Sequence, residues 1–466
     1  MKDLFFSLIE YKPTDNYYTS SDEKLQHLID LINDRELEEV IKVSWYSSKI
    51  LGMKLSPVLT NTYIFEKVNN LNVLEKEEIL NMLKFVIKDT YTRPDFIGNS
   101  LEFYKTYFGK EMKSIPNNLK RTYTKVLESY NDLTLKKFKM KNRIYTLADL
   151  IKVFRPNPNK ARKLIDKDLY KRIIENNAPL EQETITDILS NKDITSENKN
   201  VIINKKIEHM PINQIIKNLK NINWEENHEI VYTKLKECFG KETALRYLNP
   251  YDLIFNSKEI DQRWTSLLDN VLLEWLKTFF EEDNTEYCIL FDKSGSMYYS
   301  EDIKGLGVES GAKFLSLIIP LLKNYKFYLY DETLQTNKGI SKMLKNKATP
   351  NQIYNTLLEI NKLANNCTYT TKCLNECCKE NPNANMILVT DEVSYDNAEF
   401  SGTNKNPLIV YCTDYVRKGM FDIRPNTLRL AGANGNILPA IQQFLFFDKF
   451  LENVYATFDK AYKNRK

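Results

Sequence analysis

Apolar residues recur three and four positions apart over 23–32, 37–45, 75–87 and 212–222, the spacing that gathers them on one helical face. In the last of these, Ile212, Ile215, Ile216, Leu219 and Ile222 form the stripe, and Pro211 stands where a first helical turn tolerates proline. No strict repeat period is visible. A succession of about a dozen such segments predicts helix pairs stacked as a solenoid. From about residue 283 the pattern changes. Short apolar runs at 287–291, 327–330, 386–389, 408–412 and 428–431 read as strands. Between and after them, helical patterns run over 308–322, 353–363, 371–380 and 437–455. Strand and helix in alternation predict a parallel sheet covered on both faces.

Composition moves at the same place. Only Gly52, Gly98, Gly109 and Gly240 precede residue 282 out of 13 glycines, and six of the seven cysteines follow it. Few glycines mean few tight turns, which suits a helical first part. A chain of 466 residues exceeds one ordinary core, and the expected division is 1–282 helical and 283–466 α/β. No apolar run approaches the length needed to cross a bilayer, and Met1-Lys2-Asp3-Leu4 lacks the pattern of a signal peptide. Seven cysteines without a C-x-x-C spacing indicate neither a disulfide framework nor a zinc ribbon, so a reducing, cytoplasmic setting is expected.

The net charge of +4 says little, but its distribution says more. Residues 101–180 carry 19 basic and 8 acidic groups, whereas 1–100 carry 12 and 16 and 181–280 carry 13 and 16. Within that stretch Lys136, Lys137, Lys139, Lys141 and Arg143 are followed by Lys152, Arg155, Lys160, Arg162 and Lys163, with Tyr145 and Phe154 interleaved. Cations that neutralise phosphates and aromatic rings that stack on unpaired bases make this a candidate RNA surface. The bland alternative is a solvated helix face whose aromatics belong to the core.

Four of the apolar runs end at or near an acid: Asp292, Asp331, Asp391 and Asp414. In parallel sheets the ligand crevice lies beyond the carboxyl ends of the strands. Directly after the first run comes Asp292-Lys293-Ser294-Gly295-Ser296, a carboxylate and two hydroxyls that a tight turn can aim at one hard cation. An Asx-turn, with Ser296 capping the next helix, is the structural alternative. Cys373, Cys377 and Cys378 read as buried packing, and His27, His209 and His228 have no metal-ligand spacing. There is no phosphate-binding P-loop, no nucleophile elbow and no nucleophile with a paired base, so no enzyme is expected.

Asp292-x-Ser294-x-Ser296, a threonine in Asn366-Cys367-Thr368-Tyr369-Thr370-Thr371 and the pair Thr390-Asp391 resemble a von Willebrand factor A domain with its metal-ion-dependent adhesion site. The resemblance implies Mg2+ or another divalent cation held by Asp292, Ser294 and Ser296, with Thr368 joining directly or through water and Asp391 acting through water. Thr370 is the alternative threonine, because the residues around Thr368 depart from the family pattern. A carboxylate of a protein partner would complete the coordination sphere.

The first part carries its own resemblance. Thr14-Asp15-Asn16-Tyr17-Tyr18, Met210-Pro211-Ile212-Asn213-Gln214-Ile215-Ile216-Lys217-Asn218-Leu219 and Leu248-Asn249-Pro250-Tyr251-Asp252-Leu253-Ile254 resemble the TROVE module of the Ro autoantigen family. That family implies an α-helical HEAT-like repeat ring followed by an α/β Rossmann-like A domain. It also implies a monomer that binds small structured noncoding (Y-like) RNAs on a basic surface and single-stranded ends of misfolded RNA in the ring cavity, for RNA quality control or assembly of ribonucleoproteins. A metal-dependent protein-docking scaffold is the alternative from another class.

Overall fold

The computed structural model describes residues 1–10, 21–68, 71, 73–111, 114–138, 140, 143–175, 195–241, 244–255, 259–278, 284–297, 306–345, 348–359, 367–391, 394–396, 406–413, 426–431 and 437–465. The 14–18 segment, Lys139, Lys141 and Asp414 therefore lie outside the described residues. Contacts group the chain into two units: the described residues up to 175 together with 448–465, and those from 195 to 447.

The first unit is helical: α1 (Lys2–Glu10), α2 (Ser21–Asn33), α3 (Leu37–Lys49), α4 (Ser56–Lys67), α5 (Val73–Thr90), α6 (Pro94–Phe108), α7 (Asn117–Ser129), α8 (Asp132–Lys137), α9 (Leu147–Phe154) and α10 (Leu169–Ile174). Helix α3 packs on α5, α5 on α7 and α7 on α9, while α4 packs on α6. Each helix thus meets the one two places along, which is how stacked helix pairs share a core. The apolar faces read from the sequence are the buried ones: Leu28, Ile29 and Ile32 in α2, Val40 and Ile41 in α3, Leu83, Val86 and Ile87 in α5.

The second unit continues with α11 (Ser196–Lys206), α12 (Ile212–Lys217), α13 (Trp224–Phe239), α14 (Ala244–Tyr247) and α15 (Gln262–Leu276) before the sheet begins. Its strands are β1 (Glu286–Asp292), β2 (Asn324–Tyr330), β3 (Leu334–Gln335), β4 (Asn385–Thr390), β5 (Leu408–Cys412) and β6 (Thr427–Ala431). Around them lie α16 (Leu306–Ile318), α17 (Lys338–Lys345), α18 (Pro350–Leu358), α19 (Thr370–Glu380) and α20 (Ile437–Leu445). The strand order among the described residues is β3-β2-β1-β4-β5-β6, parallel except for the short antiparallel β3. All five expected strands are present, and β3 is an addition too short to leave a pattern.

One sheet face packs Cys288, Leu290, Met386 and Leu388 under Cys373, Leu374, Cys377 and Cys378 of α19, so these thiols serve as core. On the other face α16 comes close enough that a Cβ on Gly311 would lie 2.6 Å from Val389 Cγ1, which only glycine permits without a shift. The ring of Phe314 stacks on Tyr411 at 4.2 Å.

Two expectations shift in detail. The single helix read over 437–455 is α20 followed by α21 (Phe447–Lys463). In the first unit α21 packs Phe450 against Phe5 and Tyr46 (5.0 and 5.5 Å) and Phe458 against Trp45 and Phe85 (5.4 and 5.8 Å). The boundary read at 282/283 marks where the sheet begins but falls inside the second unit. The reason is a buried polar knot: Asn351 of α18 donates from its backbone N and its Nδ2 to Asp269 Oδ1 of α15 (2.9 and 2.8 Å) and accepts from Phe255 N (2.7 Å).

Candidate nucleic-acid interface and metal site

The basic stretch occupies α8, α9 and the loops after each. Thr146 caps α9 in a reciprocal box with Asp149, and Asn131 caps α8 through Thr134 N. The loop between them is pinned by Met140, whose Cε fills the space a Cβ would need at Gly98 of α6. The second loop is pinned by Asp132, which accepts from Ile165 N at 2.9 Å and Asp166 N at 3.1 Å, and by Lys167 Nζ on the carbonyls of Pro158 and Ala161.

On this frame Lys137, Arg143, Lys152, Arg155, Lys160, Arg162 and Lys163 are exposed and Lys136 is half-buried. None of the eight forms an ion pair among the described residues; in this stretch the pairing falls to Arg172 with Asp166. Arg155 closes α9 in the left-handed conformation at φ 46°, its N–H on Ile151 O. The aromatic part of the expectation is corrected. Tyr145 and Phe154 are 8% and 6% exposed, and Phe154 packs edge-on against Tyr123 at 5.6 Å, because the α9 stripe that carries it faces the core. Those rings are not available to bases.

In the second unit Asp292 ends β1 and Asp391 follows β4, the neighbours between which the strand order reverses, and Asp331 follows β2 on the other side of β1. Asp292 is fully buried: its Oδ1 accepts from Ser294 N (2.9 Å), and its Oδ2 accepts from Thr390 Oγ1 (2.9 Å) and Tyr330 OH (3.3 Å). The Asx-turn is thus real. Ser294 and Ser296 hydroxyls lie 3.1 Å apart on the following turn, Gly295–Met297. Burial pushes the Asp292 carboxyl up to about 7, the neighbouring Asp391 charge adds to this, and hydrogen bonds from Ser294 and Thr390 pull partly back. Tyr330 is raised well above its ordinary value by burial and by Asp292.

The threonine segment is tied to the same strand ends. Tyr369 N donates to Asp331 O at 3.0 Å. The loop after Asp391 reaches back: Ser394 Oγ accepts from Thr370 N (3.0 Å) and donates to Thr368 O (3.2 Å), and Asp396 caps α19 at Thr371 N and Lys372 N (3.3 and 2.7 Å). Thr368 and Thr370 are both buried. The Thr390 and Thr370 hydroxyls act on the Tyr330 hydroxyl and offset part of the rise in its pKa. Ser394 and Asp396 escaped the sequence reading because capping residues follow no fixed spacing from a strand. So did the buried pair Lys293 Nζ and Asp331 Oδ2 at 2.6 Å, which locks the Asp-x-Ser-x-Ser turn to the end of β2. Among the described residues no three His, Cys, Asp or Glu side chains converge. The donors gathered here are carboxylates and hydroxyls, an all-oxygen set.

No protein-family model matches the sequence, and no curated protein does. Among solved structures, the crystal structure of the Ro (RSR) protein of Deinococcus radiodurans matches over 93% of this chain and 95% of that one, with a TM-score of 0.55 at 12% identity. The fold is that of a Ro protein. At this identity the likeness concerns the fold, and it agrees with the order found: helical repeats first, α/β domain last. The Met210–Leu219 segment turns one face inward, with Met210, Ile215, Ile216 and Leu219 buried and Pro211, Asn213 and Lys217 exposed. The helix expected over 212–222 is shorter, since α12 ends where Asn218 Nδ2 turns back onto Gln214 O and a 3-10 turn, Leu219–Asn221, follows. Of the third segment, Leu248, Tyr251, Leu253 and Ile254 are likewise core, so both segments carry the packing of the fold rather than a ligand.

Proposed function

We propose that this protein binds structured small noncoding RNA through the basic surface of α8, α9 and their loops, as a Ro-like RNA-binding protein rather than an enzyme. The carrying observation is that eight cationic side chains sit on a tied-down frame without an acidic partner among the described residues. Unpaired cations retain their full attraction for phosphates, and a rigid frame lowers the ordering cost of binding. In this reading single-stranded RNA ends are a second ligand, held away from this surface, whose Tyr145 and Phe154 rings are buried. The test is binding of a structured RNA with a single-stranded 3′ tail across a salt series. Neutralising Lys137, Arg143, Arg162 and Lys163 together should make the slope of log affinity against log salt shallower by roughly one unit for each phosphate that is no longer neutralised. An unchanged slope would remove this surface from the account.

The second unit supports a second role, docking of a protein partner through a divalent cation. The residues present fit a hard ion such as Mg2+: carboxylates and hydroxyls gather at one strand end, and the neighbouring Asp391 charge adds to the upward shift of the buried Asp292 carboxyl, which a divalent cation there would relieve. Asp292, Ser294 and Ser296 would hold the metal, with Thr368, or Thr370 in its place, joining directly or through water and Asp391 acting through water. The bound cation would supply Lewis acidity toward an incoming carboxylate. Asp292→Ala should abolish a Mg2+-dependent protein contact and leave RNA affinity as it was.

A further inference from the structure

The sheet face beneath α19 is richer in sulfur than packing requires. One row of the register reads Lys326 of β2, Cys288 of β1 and Met386 of β4. Cys377 of α19 lies over that row: its Sγ is 4.0 Å from Met386 Sδ and is hydrogen-bonded to the Cys288 thiol. All three sulfur side chains are wholly buried. Aliphatic side chains would fill this space as well, so packing leaves the meeting of two thiols and a thioether without a use. Methionine supplies the third donor here, where no three His, Cys, Asp or Glu side chains converge among the described residues.

Geometry and charge both suit one soft ion. A metal centred among three sulfurs spaced at the 4.0 Å of the Cys377–Met386 contact lies about 2.3 Å from each, an ordinary metal–thiolate distance. It would take the place of the thiol protons and needs no cavity. Thiolate and thioether donors without nitrogen or oxygen select Cu(I). The hydrogen bond with Cys377 holds the Cys288 thiol below its ordinary value, against its burial and with help from Lys326, which favours the deprotonated form a metal needs. Asn381 completes the surroundings: its Nδ2 donates to Cys377 Sγ at 3.7 Å while its Oδ1 accepts from Lys326 Nζ at 2.7 Å, so positive charge is relayed to the sulfur. We infer that Cys288, Cys377 and Met386 bind one Cu(I) ion. Two thiol protons pass to solvent, the copper keeps its oxidation state, and the added negative charge is offset in part by Lys326, which also pairs with Glu286. Access is from the edge of β2, since β3 pairs only with Leu329 and Tyr330 and the Lys326 side chain is half-exposed. Cys288 stands four residues before Asp292, about 13 Å along the strand, so this ion and the oxygen site at the strand ends are separate.

The experiment is anaerobic titration of the full-length, reduced protein with Cu(I) in competition with bathocuproine disulfonate. One Cu(I) per chain should be taken from the chelator, and X-ray absorption should show a shell of three sulfurs and nothing else at the metal. Cys288→Ala and Cys377→Ala should each abolish this uptake. Met386→Leu, which conserves volume, and Lys326→Gln, at a half-exposed position, should each weaken it roughly tenfold or more while the metal-free melting temperature is kept. These two variants decide the matter even where loss of a buried thiol harms folding. Cys367→Ser and Cys373→Ala, which lie outside the triangle, should bind as the wild type does. No uptake by the wild type, nitrogen or oxygen neighbours at the copper, undiminished affinity in both Met386→Leu and Lys326→Gln, or uptake that disappears in Cys367→Ser would each overturn the inference.

Discussion

Arg155 offers a test in which stability and function should move independently. It ends α9 with φ 46° and ψ 55°, a left-handed conformation that costs an ordinary L-residue roughly 1–2 kcal/mol and glycine almost nothing. Its backbone N–H bonds Ile151 O at 2.9 Å, which any residue would keep, and its exposed side chain has no ion pair among the described residues. Arg155→Gly therefore removes the strain and a charge at once. Glycine also frees the unfolded chain, at a cost of about 0.5–1 kcal/mol, so the net change should lie between zero and about 1.5 kcal/mol of stabilisation. Arg155→Ala, which keeps the strain, should be the less stable of the two. Urea unfolding measures this part. A salt series on a structured RNA measures the other: the slope should become shallower by about 0.9, one phosphate contact, in both variants alike. A glycine variant that is clearly destabilised would show that the side chain packs where the structure leaves it exposed. An unchanged slope would show that a strained position carries no phosphate.

Other outcomes follow from the buried polar groups of the second unit. The folded Asp292 carboxyl titrates near 7, above its unfolded value, so between about pH 4 and 7 the folded state holds a proton that the unfolded state has released. Metal-free protein should accordingly lose thermal stability as pH rises through that window, and added Mg2+ should restore it most at and above pH 7, where the carboxylate is ionised; a flat pH profile of melting temperature with chelator would refute the assignment. Thr368→Val and Thr370→Val separate the two candidate threonines: stabilisation by Mg2+ should be lost in Thr368→Val and kept in Thr370→Val, the reverse would give the role to Thr370, and full retention in both would remove the threonine from the site. Asn351→Ala keeps the backbone N–H on Asp269 but strips Asp269 of the Nδ2 hydrogen bond and Phe255 N of its acceptor in a buried site, and should cost about 2–4 kcal/mol by urea unfolding. A loss below 1 kcal/mol would mean that water replaces the amide.

What could be read from the chain tracks how local its cause is. Strands β1, β4 and β5 were legible because a strand buried on both faces must be an unbroken apolar run, and such a run needs no partner to be recognised. Helices α2, α3 and α5 were legible through their stripes. The break between α20 and α21 was not, since both halves keep helical spacing. The unit boundary was illegible for a different reason. Asp269 and Asn351 are 82 residues apart, and nothing in an isolated aspartate near 269 announces that its partner is an asparagine amide on a later helix. The buried pair of Lys293 and Asp331 escaped for the same cause, although both residues stood in view at strand ends.

The two candidate sites divide along the same line. The metal constellation was legible in its first three residues because one turn brings them together, and ambiguous at the threonine because long-range contacts fix both candidates. Ser394 and Tyr395 take the carbonyl of Thr368 as their acceptor, and Ser394 also receives the backbone N of Thr370, so one loop holds both threonines and local pattern cannot choose between them. In the basic stretch the excess charge was visible, and the exposure of its apolar residues was not. Tyr145 and Phe154 looked like stacking platforms because aromatics among lysines usually invite that reading, yet α9 needs its stripe of Leu147, Leu150, Ile151 and Phe154 to bury a helix only two turns long. A short helix cannot present its large ring to a ligand and also stay attached. The rings of Tyr145 and Phe154 were thus claimed by folding, and what remained for an RNA was the charge.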